Sequence, residues 1–231
     1  MRRGLRRLAL TLGAVLLAFA LVQGWFLAHV LWWRSHDPAM TSFMQIRLDE
    51  LRARDPRARL DHRWVPYERI STHLKRAVVA AEDDAFMDHY GFDWSGIQRA
   101  IERNRARGAR AAGGSTITQQ LAKNLFLSPS RSYVRKAQEA VITVMIEATW
   151  SKRRILEVYL NVVEWGDGIF GAEAAARHHY GISADRLGPV EGTQMAVMLP
   201  NPRHYADAFG PRLAAIAESV RGRMMYTRIP D

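Results

Sequence analysis

Three acids in a row, Glu82, Asp83 and Asp84, follow directly on the apolar run at 77–81. Carboxylates at the edge of a core are the groups that general acid–base chemistry uses, although acids after an apolar helix are more often a solvated end or the cap of the next element. Upstream spacing predicts the helix that carries them. Ile70, Leu74, Ala77, Val78, Ala81 and Ala85 recur at intervals of 3 and 4, a helical stripe running through Ala85. At about 100° per residue, Glu82 and Asp84 each fall roughly 80 to 90° to one side of that stripe and Asp83 falls opposite it. Periodicity therefore leaves Glu82 and Asp84 equivalent.

A second pattern concerns cations. Between Arg103 and Gln138 there is no acid, while Arg103, Arg105, Arg107, Arg110, Lys123, Arg131, Arg135 and Lys136 stand in that stretch. Arg131, Arg135 and Glu139 are spaced by 4. If the helix beginning near Tyr133 reaches back to Arg131, they project from neighbouring turns of one face. An exposed, salt-bridged helix has this pattern. So does a row of cations facing a multiply charged oxyanion with a carboxylate beside it.

The elements that must position these groups are mostly helices. Tyr90-Gly91 ends the first helix, and Asp93 or Ser95 caps the next. The stretch at 104–114 reads as a loop rich in Arg, Ala and Gly. Ser115-Thr116 opens a helix at 115–127 that Ser128-Pro129-Ser130 breaks. Helices follow at 133–150 and 152–163, glycines punctuate the turn at 166–171, and a further helix stops at Pro200 and Pro202. No run of alternating residues predicts a strand. Glu147, Glu157 and Asn161 read as hydrogen-bonding scaffold on these helices. His178 and His179, being adjacent, make a poor metal pair.

With 231 residues, 48% of them hydrophobic, the chain suits one domain of ordinary size with an appendage. That appendage is at the N-terminus. Leu8 to Trp33 holds only Gln23 and His29 as clearly polar side chains among its 26 residues; as a helix it is about 39 Å long, enough to span a hydrocarbon layer of about 30 Å. It is too long for the apolar region of a cleaved leader, and its closing Trp32 and Trp33 suit an interfacial anchor. Arg2, Arg3, Arg6 and Arg7 precede it, so the positive-inside bias puts residues 1–7 in the cytoplasm and everything after residue 34 across the membrane. Expected boundaries are thus 1–7 cytoplasmic, 8–33 transmembrane, 34–60 juxtamembrane and 61–231 catalytic. In a bacterium the far side is the periplasm. The formal charge of +10 then points to an anionic head group or the membrane surface rather than to nucleic acid. Absence of cysteine excludes a disulfide framework and thiolate-held metal.

Several stretches agree in order with one family. "EDDAFMDHYGFD", "GGSTITQQLAKNLF", "RKAQEA", "KRRILEVYLNVVEWGDGIFGAEAAA" and "MAVMLPNPRHY" resemble the five motifs of the family 51 peptidoglycan glycosyltransferases over about residues 64–206. The short, singly anchored chain looks like their monofunctional branch. No Ser-x-x-Lys or Lys-Thr-Gly sequence of a transpeptidase occurs, and Gly192 and Thr193 depart from the small apolar residues common in the fifth motif.

The resemblance implies an all-α, lysozyme-like domain of two lobes around a cleft at the membrane. It implies polymerisation of lipid II, with the growing glycan chain and the membrane as partners, other cell-wall synthesis and division proteins alongside, and the bacterial inner membrane as location. By motif position Glu82 is the general base and Asp83 orients it, which breaks the tie that periodicity leaves. Lys123, Arg131 and Arg135 hold the pyrophosphate, and Glu139 is the carboxylate near that group, with a divalent cation, Mg or Mn, as a mediator and no tightly bound cofactor. Phe86, His89, Thr116, Gln120 and Asn124 shape the substrate site, and the loop at 104–114 is expected to flex over the donor side. A lysozyme-like hydrolase and a non-catalytic membrane-anchored scaffold are the rival readings; neither needs the acid-free basic tract and individual carboxylates together.

Overall fold

A computed structural model of the chain describes residues 2–107, 114–130 and 132–231. Arg131 and most of the expected loop at 104–114 lie outside the described residues. The chain divides into two compact units, Met1–Asp37 and Pro38–Asp231. The first is built on α1 (Arg2–Trp33), whose stretch Leu5–Trp33 is long and apolar enough to cross a membrane. Its leucines, Val15, Val22, Trp25 and Trp32 stand exposed, as lipid-facing side chains would.

The second unit is all-α apart from one small sheet. Its helices are α2 (Ser42–Arg54), α3 (Thr72–Glu82), α4 (Trp94–Arg107), α5 (Ile117–Phe126), α6 (Tyr133–Thr149), α7 (Lys152–Val162), α8 (Ala172–Tyr180), α9 (Pro189–Met198), α10 (Pro202–Asp207) and α11 (Pro211–Met224). They pack in two sets: α3 lies on α9 and α11, while α5 lies on α2, α6 and α7. The functional groups gather where the end of α3 meets α5.

Local chemistry sets these helices. Ser71, Ser132 and Ser151 accept hydrogen bonds from backbone N–H groups in the first turns of α3, α6 and α7, satisfying donors that have no intrahelical partner. Thr116 and Gln119 form a reciprocal capping box at the head of α5. Leu74, Ala77, Val78 and Val79 of α3 are wholly buried, and α9 approaches that helix closely because position 192 is glycine. A Cβ there would lie 3.1 Å from the backbone nitrogen of Leu74. The departure from the family pattern at Gly192 is thus a packing feature.

Three expectations change. The helix predicted to run to Ala85 stops at Glu82, and Asp83 leaves it with φ −162° and ψ 68°. Helix α4 continues to Arg107, into the segment expected to be loop. Strands exist where none was predicted: β1 (Asp61–His62), β2 (Glu164–Gly166) and β3 (Ile169–Phe170) form a sheet of order β1-β3-β2, with β1 parallel and β2 antiparallel to β3. Strands of two or three residues are too short to display an alternating pattern. Within the segment at 34–60, α2 belongs to the second unit and packs on α5.

Candidate active site

Glu82 is the last residue of α3 and half-buried. Its Oε2 accepts a hydrogen bond from Gln120 Nε2 of α5 at 2.7 Å, and Gln120 Oε1 accepts one from the Tyr159 hydroxyl of α7 at 2.9 Å. Tyr159 is fully buried, and turning the amide over would set Gln120 Oε1 against the Glu82 carboxylate, two acceptors face to face. Oε1 of Glu82 has no hydrogen-bond partner among the described residues. Burial raises the Glu82 carboxyl above the usual carboxylate range; Gln120 and the charge of Lys123 oppose the rise, and Asp83 adds to it.

Asp83 does different work. Its Oδ1 accepts from His89 Nε2 at 2.8 Å, and its Oδ2 accepts from the backbone N–H of Ile117, the first residue of α5, at 3.0 Å. A carboxylate is favoured there by the helix dipole as well as by the hydrogen bond. The N–H of Gly91 donates to His89 Nδ1 at 3.1 Å, so the imidazole that satisfies both bonds carries its hydrogen on Nε2. Thr116 donates to the carbonyl of Gly91 at 2.7 Å. Gly91 has φ +83°, and a Cβ would lie 2.6 Å from Thr143; only glycine turns the chain here. Asp83, His89 and Thr116 therefore join the first acidic stretch to the head of α5 and point inward.

Phe86, expected at the substrate, is fully buried, with its ring against His89 and under the Lys152 ammonium, 4.5 Å from the ring centre. It is core: the chain folds back after Asp83 and carries Phe86 inside.

Glu82 lines one cavity and its hydrogen-bond partner Gln120 lines another. One, of about 590 Å³, is lined by Glu82, Asp84, Asp88, Asp93, Arg99 and Ser115 among others. Asp93 also accepts from Gly96 N–H at 2.8 Å at the start of α4; burial pushes its carboxyl up, but the Ser95 and Gly96 hydrogen bonds and Arg99 outweigh this and hold it below the usual range. The other cavity, of about 180 Å³, is lined by Gln120, Lys123, Asn124, Arg47, Glu164 and Arg203 among others. Burial pushes the Lys123 ammonium below the usual lysine range, with Glu139 working against it. No carboxylate lies within 4.0 Å of Lys123 among the described residues.

Glu139, on α6, is buried and doubly paired. Arg135 Nη1 donates to its Oε2 at 2.6 Å, and Lys136 donates to its Oε1 in a short ion pair. Lys136 also donates to Ser115 at 3.0 Å, and Arg135 Nε to the Ser130 carbonyl at 2.7 Å. Both Glu139 oxygens are thus engaged by cations, and no group of three His, Asp or Glu side chains suited to a metal exists among the described residues. Sequence reasoning missed Tyr159 and Lys136, and only Lys136 left a signal, its place in the basic tract.

The Transglycosylase family model matches residues 49–225. Among curated proteins, the "Biosynthetic peptidoglycan transglycosylase" of Azoarcus sp. (strain BH72) is 69% identical over 220 residues, 94% of this chain and 95% of that protein. The protein of the same name from Aromatoleum aromaticum is 64% identical over 228 residues, 99% of this chain and 98% of its own length. That from Dechloromonas aromatica is 59% identical over 200 residues, 87% of each.

Proposed function

The chain belongs to the transglycosylase family, and from that premise we propose that it polymerises lipid II into peptidoglycan strands by a single inverting displacement. The observation that carries the reading is Glu82, fixed through one oxygen by Gln120 and Tyr159 and free at the other, on the rim of a polar cavity.

The acceptor sugar's 4-hydroxyl has a pKa far above 7, so its O–H bond must break as the oxygen attacks. Glu82 takes that proton. The oxygen forms its bond to the donor's anomeric carbon from the face opposite the diphosphate. The carbon–oxygen bond to phosphorus breaks with its electron pair leaving on the diphosphate, so an α-linked donor becomes a β-1,4 product. A carboxyl raised towards the working pH is the better base. Lys123, unpaired beside Gln120, faces the charge that grows on the leaving group. Glu139 orders Arg135 and Lys136 and takes no proton in this scheme.

The anchor reading completes the proposal. Four arginines at the N-terminus orient α1 with that end in the cytoplasm, which leaves the Pro38–Asp231 unit in the periplasm beside substrates whose lipid tails stay in the bilayer. No transpeptidase activity is proposed.

The test is incubation of the full chain in detergent with purified lipid II, with and without a chelator. Glycan should lengthen as undecaprenyl pyrophosphate is released. Shortening of pre-made sacculus without any lengthening of lipid II would sink the reading in favour of a hydrolase.

A further inference from the structure

Glu82 stands where α3 gives way to a segment with no helical ladder of its own. From Asp83 to Asp88 the chain turns twice, closed by the Phe86 N–H on the Asp83 carbonyl at 2.9 Å and the Asp88 N–H on the Ala85 carbonyl at 2.8 Å. Side chains have to keep such a segment in place. Asp83 ties it to α5. We infer that the segment at 225–231, which follows α11, is a strap that ties it down a second time, and that Thr227 positions Glu82 by gripping Asp84. The inference deepens the lipid II reading, on which the role of Glu82 as base rests.

The strap is fastened along its length. Its Thr227 N–H donates to the Met224 carbonyl at 3.2 Å, at the end of α11. Thr227 is buried, and its hydroxyl donates to Asp84 Oδ1 at 3.2 Å. The Arg223 carbonyl lies 3.4 Å from the same hydroxyl. A hydroxyl has a single hydrogen to give, and the nearer, charged acceptor takes it. One residue on, Arg228 pairs with Asp88. Further along, the Tyr67 hydroxyl donates to the Pro230 carbonyl at 2.6 Å. Tyr67 and Pro230 are both buried. Burial pushes the Tyr67 hydroxyl up to about 12, so it remains a donor throughout the working pH range.

The position of Thr227 separates placing the base from touching the substrate. Asp84 lines the same cavity as Glu82, and Thr227 does not. Thr227 lines a different cavity, together with Tyr67, Arg228 and Pro230. Its hydroxyl therefore bears on the space beside Glu82 only through Asp84. Asp84 is exposed, so water would satisfy its carboxylate and the bond adds little to global stability. The exposed pair of Arg228 with Asp88 adds little as well. What these bonds do is join the turn directly after the base to residues about 140 positions away. Neighbouring carboxylates thus hold the turn through different partners: Asp83 through α5, Asp84 through the strap.

A double-mutant cycle in lipid II polymerisation, run on the full chain in detergent, tests the strap. Thr227→Val keeps the shape and removes the hydroxyl; kcat should fall about three- to fivefold, as loss of one partly exposed charge-assisted hydrogen bond does, with KM and melting temperature near the parent's. Thr227→Ser, which keeps the hydroxyl, should recover most of the loss. Asp84→Ala should lower kcat to a similar extent, and the double variant should be no slower than the slower single one. Limited proteolysis with a protease that cuts after acidic residues gives a readout independent of lipid II: cleavage after Asp84 and Asp88 should be about three- to fivefold faster in Thr227→Val. Unchanged kcat in Thr227→Val, where the parent polymerises lipid II, overturns the inference and leaves the lipid II reading standing. Single effects that multiply in the double variant also overturn it, since Asp84 then acts on its own. If the parent polymerises no lipid II, that reading falls, and proteolysis decides the strap: faster cleavage of the turn upholds it, and unchanged cleavage overturns it.

Discussion

Glu82, at the end of α3, and Glu139, on α6, are the same residue type against the same helix α5, and their surroundings make them opposites. Glu82 is half-buried, is held by a neutral amide, keeps one oxygen free and has its pKa raised by burial. Glu139 is buried deeper and gives both oxygens to cations. A carboxylate that must move a proton needs its charge left partly uncompensated, at a cost in stability. One that must hold cations in register needs the reverse.

The sharpest way to break this comparison is Glu82→Gln. Lipid II polymerisation should fall by about a thousandfold, within the range for a lost general base, while the melting temperature holds or rises. The sign follows from the raised pKa. As pH rises from the usual carboxylate pKa through the folded value, the folded state gives up its proton later than the unfolded chain, so stability declines and the full penalty remains above that window. The amide lacks it. A melting temperature well below the parent's would assign Glu82 a structural role like that of Glu139.

Glu139→Gln should show the opposite balance. Arg135 and Lys136 lose a buried counter-charge, and since both partners are partly exposed the loss is about 2 kcal/mol rather than the 3 to 5 of a fully buried pair. Denaturant unfolding measures it; turnover should fall about tenfold. An unchanged unfolding midpoint with abolished turnover would mean that Glu139, too, acts in the chemistry.

Tyr159→Phe is a smaller probe. Gln120 loses its anchor, and with it Glu82 loses the hydrogen bond that lowers its pKa. Turnover should drop about three- to fivefold. In the parent, rate should rise with pH through the raised Glu82 pKa, and in Tyr159→Phe that acid limb should move to higher pH. If the limb stays in place, Gln120 is oriented by something other than Tyr159.

The capped helices were legible because their signals are local. Thr116 and Gln119 are three residues apart, and the breaks at Ser128-Pro129 and Pro200 are written in single residues. Asp83 was not legible by phase. The stripe through Ala81 and Ala85 favoured a continued helix, but the chain departs after Glu82 because the Asp83 carboxylate finds His89 and the Ile117 N–H instead, the latter 34 residues away. The same fold-back hides Phe86. Arg47 and Glu164 are 117 residues apart, and each alone reads as an ordinary surface charge. Motif resemblance supplied the choice of Glu82 that periodicity left open; it could not supply Tyr159, whose hydroxyl matters only through what it touches.

The Asp83 carboxylate, bonded to the first amide of α5, also determines what can move. Glu82 and Asp83 are covalent neighbours, and Gln120 and Lys123 ride on the helix that Asp83 grips. The end of α3 and the start of α5 are therefore tied together, and a local opening that frees Asp83 shifts Glu82 relative to Gln120 and Lys123. The Ile117 amide proton, held by Asp83 and exchanging when that carboxylate lets go, is a direct reporter of how often this joint opens.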